Sequence, residues 1–258
     1  MRLMKRILSA AAVLALPAPL LVGCSSGTAS SVPVSASSAA ESTVSSVEET
    51  ASSAVDENEA AAAQLLNDLT GSYQELWPVI LADEYKQTWL DDCTALVGED
   101  NAEAAFEKLS SMVTGDVYGE DAVKAYANGG GAYFCGFTNS LAILTFDGET
   151  STISGTDKDG NVLFSHTYHY IGMEPVRGLY EFQSDDADSG EFTYFFLAPD
   201  TSAETYHIEF RYGSDAEALS QYDTGEYAYW LASGISTDCD QTMIDNCIEL
   251  FCTENLAG

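Results

Sequence analysis

Residues 141–155 read LAILTFDGETSTISG, and this stretch decides the fold class. A run of strand-forming side chains, Leu141–Phe146, meets Asp147-Gly148 and is followed by a second strand-like segment, Thr150–Gly155. Two such runs joined by Asp-Gly are the strongest short-range signal for a β-hairpin. Working outward from this hairpin, the period of two extends over most of the second half of the chain. The predicted strands are Ala132–Phe137, Leu141–Phe146, Thr150–Gly155, Val162–Met173, Leu179–Gln183, Glu191–Leu197 and Thr205–Tyr212. Turn chemistry separates them: Lys158-Asp159-Gly160-Asn161, Asp185–Gly190 and Pro199–Ala203. Consecutive short strands with tight connections imply an antiparallel meander closed into a barrel or half-barrel.

Upstream of Gly129-Gly130-Gly131 the period is helical. Leu65, Leu66, Leu69, Leu76, Val79, Ile80, Trp89 and Leu90 fit one amphipathic face, and Ala105, Phe106, Leu109 and Met112 give a stripe to a helix over Asn101–Val113. A shorter helix is predicted over Asp121–Ala127, and two more close the chain near Ala216–Tyr222 and Gln241–Thr253. Trp77 and Trp89, with Leu76 and Ile80, are expected to pack against the barrel. The fold class is mainly β with flanking helices, in one domain from residue 61 to 258.

The first sixty residues are of another kind. Residues 1–23 have a basic start (Arg2, Lys5, Arg6) and an apolar run from Ile7 to Val22 broken by Pro17 and Pro19, too short and interrupted for a membrane span. They read as a secretory signal peptide ending in Leu21-Val22-Gly23-Cys24. This ending resembles the lipobox of bacterial lipoproteins, which implies acylation of Cys24 and attachment to the extracytoplasmic face of the cell membrane. Residues 24–60 are rich in Ser and Ala, turn acidic from Glu41, and contain no aromatic side chain, the composition of a disordered stalk.

Charge excludes a class of partner. The chain carries 9 Lys and Arg against 41 Asp and Glu, a formal charge of −32, and three of the nine cations lie in the signal segment. Nucleic-acid binding depends on clustered cations that displace counterions, so this chain is no nucleic-acid binder. Such a field attracts cations. No nucleophile elbow, zincin helix, phosphate loop or dinucleotide fingerprint is present, and the chain is not expected to be an enzyme. Asp157–Asn161 has the opening acids of a calcium loop, but Val162 stands where its glycine is needed and Tyr168 where its closing Glu belongs, so a hairpin turn is expected. The acid pairs Asp91-Asp92 and Asp185-Asp186 are expected to be solvated surface.

Three histidines could serve a metal. His166 and His169 differ in parity on one predicted strand and point to opposite faces. His207 shares its face with Thr205, Glu209 and Arg211, opposite the apolar face Tyr206, Ile208, Phe210 and Tyr212. Beyond Cys24 there are five cysteines, Cys93, Cys135, Cys239, Cys247 and Cys252, which allow fifteen arrangements of two bridges with one thiol left over.

The runs TYHIEFRYG (205–213), DAEALSQY (215–222) and YAYWLASGI (227–235) are similar to the C-terminal signature of the ZinT family, calycin-like zinc- and cadmium-binding proteins. GSYQELWPVI (71–80) resembles the family's opening helix, and AILTFDGETSTI (142–153) with HTYHYIGM (166–173) its central strands. The resemblance implies a calycin, lipocalin-like antiparallel β-barrel and zinc as ligand, with hand-over to a metal-uptake system. It also implies three histidine positions, of which this chain fills one. FFLAP (195–199) places Phe195 at the first, Thr205 stands at the second, and only His207 matches. His207 and Glu209 are the metal residues this leaves. Two other readings stay open: a small organic ligand in the barrel, favoured by an apolar mouth at Phe195, or a partner-binding surface protein that has lost the metal site.

Overall fold

The computed structural model describes residues 57–114, 133–199 and 207–256. The signal segment, Cys24, nearly all of the predicted stalk, the predicted helix at 121–127 and Thr205 lie outside them. All described residues belong to the second of two compact units, Ser45–Gly258.

Eight strands form a closed antiparallel barrel in sequence order: β1 Gly71–Glu75, β2 Ile143–Asp147, β3 Thr152–Thr156, β4 Val162–Met173, β5 Tyr180–Ser184, β6 Tyr194–Leu197, β7 His207–Gly213 and β8 Ala232–Ser236. β8 returns to β1, with Tyr73 opposite Ser236, and leaves no open edge. A helix over residues 57–68 (α1) precedes β1 and takes in residues 57–60, just ahead of the boundary drawn from composition. The other α-helices of the described residues are α2 Leu76–Ile80, α3 Lys86–Val97, α4 Glu99–Thr114, the short α5 Ala216–Leu219 and α6 Gln241–Leu256.

Two barrel strands escape the sequence pattern, and one predicted strand is not there. The helical spacing of Leu69 and Leu76 predicts helix across Gly71–Glu75. This segment is instead β1, with Tyr73 its one buried side chain. Ala232–Ser236 is small and glycine-bearing, with weak strand propensity. The smallness is required: a Cβ at Gly234 would lie 3.1 Å from Ile208 Cγ1 and 3.3 Å from Phe137 Cζ. The predicted strand at 132–137 makes only an isolated bridge, Phe134 to Trp230. Its Phe137 ring packs edge-on against Phe210, centroids 5.3 Å apart. The Asp147-Gly148 turn packs on α1 so closely that a Cβ at Gly148 would meet Asn67 Cα at 2.4 Å. Asp157 closes the 157–161 turn as expected, accepting from the backbone N–H of Asp159 and Asn161.

The barrel interior is filled by rings. Tyr73, Leu144, Phe146, Ile153, Phe164, Tyr168, Phe182, Phe195, Phe210 and Tyr212 belong to one buried cluster. Phe195 sits among them, 5.4 Å from Tyr212 and Tyr168 and 5.8 Å from Phe164, centroid to centroid. A second core lies between the outer face of the β8 region and the helices, built from Trp77, Ile80, Trp89, Leu109, Ile235 and Ile248 with their neighbours. Trp89 is wholly buried and donates its indole N–H to Ile80 O at 2.7 Å, so both tryptophans pack as expected.

Candidate functional site

The alternation of β7 fixes where its polar side chains go. Ile208, Phe210 and Tyr212 point into the barrel, so His207, Glu209 and Arg211 point out. Outside, α2 and α6 cover this part of the sheet. His207 and Glu209, both half-buried, line a crevice with Trp77 of α2 and with Cys247, Phe251 and Glu254 of α6. The α6 residues recur at helical spacing, presenting one face to the strand. The crevice has a volume of about 30 Å³, the size of one water molecule or a small ion.

The expected metal residues are therefore neighbours. They lie on the outer wall beneath a helix, a position that the hydrophobic periodicity of β7 allows but does not specify. Glu254 and Cys247 carry no signal in the sequence, because nothing there ties α6 to β7. Cys135 is near enough to Glu209 that the carboxylate opposes its ionisation. Burial dominates, and together they push the Cys135 thiol up to about 12. Burial likewise holds Cys247 at about 12. Both thiols are protonated at neutral pH and are poor metal donors in that state. Among the described residues no three His, Cys, Asp or Glu side chains form a group that could hold a metal ion. A closed tetrahedral zinc shell needs four donors, more than His207, Glu209 and Glu254 would supply.

The other histidines form separate pairs. His166 Nδ1 lies 2.7 Å from Asp186 Oδ2, and His169 Nδ1 lies 2.6 Å from Asp185 Oδ1. Opposite parity holds for the two imidazoles, yet adjacent aspartates on one bend reach both. Asp185-Asp186 is thus engaged with histidine rather than simply solvated. Asp92, expected at the surface, has one buried oxygen and a carboxyl raised by burial and by Glu249, Asp245 and Asp91.

Arg211 shares the outward face of β7 and is wholly buried. Its guanidinium donates to the carbonyl oxygens of Leu219, Gln221 and Tyr227 and lies over the Tyr222 ring at 4.4 Å. It fastens the 219–227 segment to the barrel. Phe195 is corrected by the same parity. It faces Tyr212 across the β6–β7 ladder and points inside, on the opposite side of the sheet from His207. It lines no apolar mouth, and Phe164, Tyr168, Phe210 and Tyr212 fill the interior around it.

No family model and no curated protein matches this chain. Solved structures are similar to it. One is the Zn(II)-bound ZinT-like domain of Streptococcus pneumoniae AdcA, at 15% identity and a TM-score of 0.45, covering 71% of this chain and 89% of that one. Another is Zn(II)-bound AdcA from Streptococcus pneumoniae, at 16% identity and a TM-score of 0.42, covering 72% of this chain and 35% of that one. The barrel itself is established by the strand register described above.

Proposed function

We propose that this chain is a lipid-anchored binding protein of the extracytoplasmic face of the membrane that holds a divalent cation, zinc or cadmium, and passes it to an uptake system. The observation that carries this reading is the placement of His207 and Glu209 side by side, half-buried on the outer face of β7, in a small crevice that Glu254 of α6 also lines. The imidazole supplies a nitrogen ligand suited to zinc, and the carboxylates supply charge compensation. The formal charge of −32 raises the local concentration of cations near the protein. Few protein donors and retained water favour exchange over permanent retention, as hand-over requires. The lipobox-like Leu21–Cys24 segment supports the anchor. Binding rather than catalysis is part of the reading.

Equilibrium dialysis against zinc, cadmium and calcium tests it. The expected result is zinc or cadmium binding near one ion per chain, weakened at least ~10-fold by Glu209→Gln. Equal uptake by wild type and Glu209→Gln would place any bound metal elsewhere.

A further inference from the structure

Five thiols remain in the folded part of the chain, and the structure sorts them. Cys93 is on α3 and Cys252 on α6. Both are wholly buried, and their sulfur atoms lie 3.9 Å apart. The helices around them are held in register by aromatic contacts: Trp89, one turn before Cys93, packs edge-on against Phe251, the neighbour of Cys252, at 6.0 Å. A disulfide requires sulfurs about 2.05 Å apart, and the remaining gap is within the reach of side-chain rotation when the Cα positions suit. The other thiols lie in different surroundings. Cys135 has Glu209, Ser233 and Trp77 about it, and Cys247 has Cys239.

We infer that Cys93 and Cys252 form a disulfide that staples α6 to α3. Two thiols lose two protons and two electrons to a disulfide-bearing oxidant, either oxidised glutathione or a protein dithiol oxidase, whose own S–S bond breaks to give two thiols. Burial raises both thiol pKa values and closes the pair to reagents in the folded state, so the bond forms while the chain folds. Its consequence is local. α6 carries Cys247, Phe251 and Glu254 over the crevice at His207, and the bridge fixes that roof. The inference rests on the thiol geometry alone and stands whether or not the crevice binds metal.

The test is oxidative refolding of the full chain from the reduced, denatured state in a glutathione buffer, followed by alkylation in denaturant without reductant and non-reducing peptide mapping. The expected map contains a joined peptide bearing Cys93 and Cys252, two hydrogens lighter than its parts, with Cys135 alkylated. Cys252→Ser should abolish that peptide and leave Cys93 alkylated. Reduction of the refolded protein should lower Tm by at least about 5 °C, since a bridge closing so long a loop constrains the unfolded chain strongly. Where refolding yields no folded protein, the same map on chain recovered from an exporting bacterium reads the same bond. Finding Cys93 and Cys252 both alkylated when the oxidised, refolded protein is opened in denaturant, or either joined to a different cysteine, overturns the inference.

Discussion

Asp92 shows how an acidic chain carries strain at a single residue. It lies on α3 facing Glu249 and Asp245 of α6, with one oxygen buried, and burial is the larger reason its carboxyl is raised. The folded state therefore holds this proton more tightly than the unfolded chain does. The resulting stabilisation is present at low pH and is lost as pH rises through the folded pKa. Asp92→Asn is accordingly expected to raise stability at pH 7, on the order of 0.5–1 kcal/mol after allowance for solvent screening. The gain should fade as pH falls towards the ordinary carboxylate value of about 3.9. Thermal melts of both proteins between pH 3 and 8 measure this, and a difference independent of pH would contradict it. Neighbouring acids are usually solvated, which is why the sequence points Asp91-Asp92 to the surface. The contact with α6 is tertiary and leaves no local mark.

At the scale of elements, parity is the most informative feature of the sequence. Alternation alone separates Ile208, Phe210 and Tyr212 from His207, Glu209 and Arg211, and β4 has the limits that its period predicts, Val162–Met173. Parity fails where an element is short and its neighbours mislead, as at Gly71–Glu75, or where packing selects small side chains over strand formers, as at Ala232–Ser236. Nor does it carry from β6 to β7 without a register: resemblance groups Phe195 and His207 in one ligand set, although the pairing of Phe195 with Tyr212 puts them on opposite faces. Phe195→His should therefore add no zinc affinity. It should instead cost about 2–4 kcal/mol, because a wholly buried ring is exchanged for a smaller polar one among aromatic neighbours. Urea unfolding with a parallel zinc titration separates the outcomes. Tighter zinc binding with stability unchanged would mean that the register, and with it the outward position of His207, is wrong.

At the scale of the whole molecule, the fold class is legible because six of the eight strands, β2 to β7, leave a periodic trace. The site is legible only by half. His207 and Glu209 share a strand and can be paired from sequence, whereas Glu254 and Cys247 arrive from α6, far along the chain. The proposed anchor rests on the N-terminal segment alone and is tested separately: Cys24→Ser should shift the protein from the membrane pellet to soluble or unprocessed fractions, and unchanged processing with unchanged membrane association would refute it. The central claim is that the crevice between β7 and α6 takes a divalent cation through His207. Calorimetric titration of zinc into the wild-type chain and into His207→Ala, at pH 7 and again in more acidic buffer, tests it most directly. The account predicts one zinc per wild-type chain, weaker binding at acidic pH as protons compete for the imidazole, and loss of most of that binding in His207→Ala. Equal zinc affinity in the two proteins would contradict it.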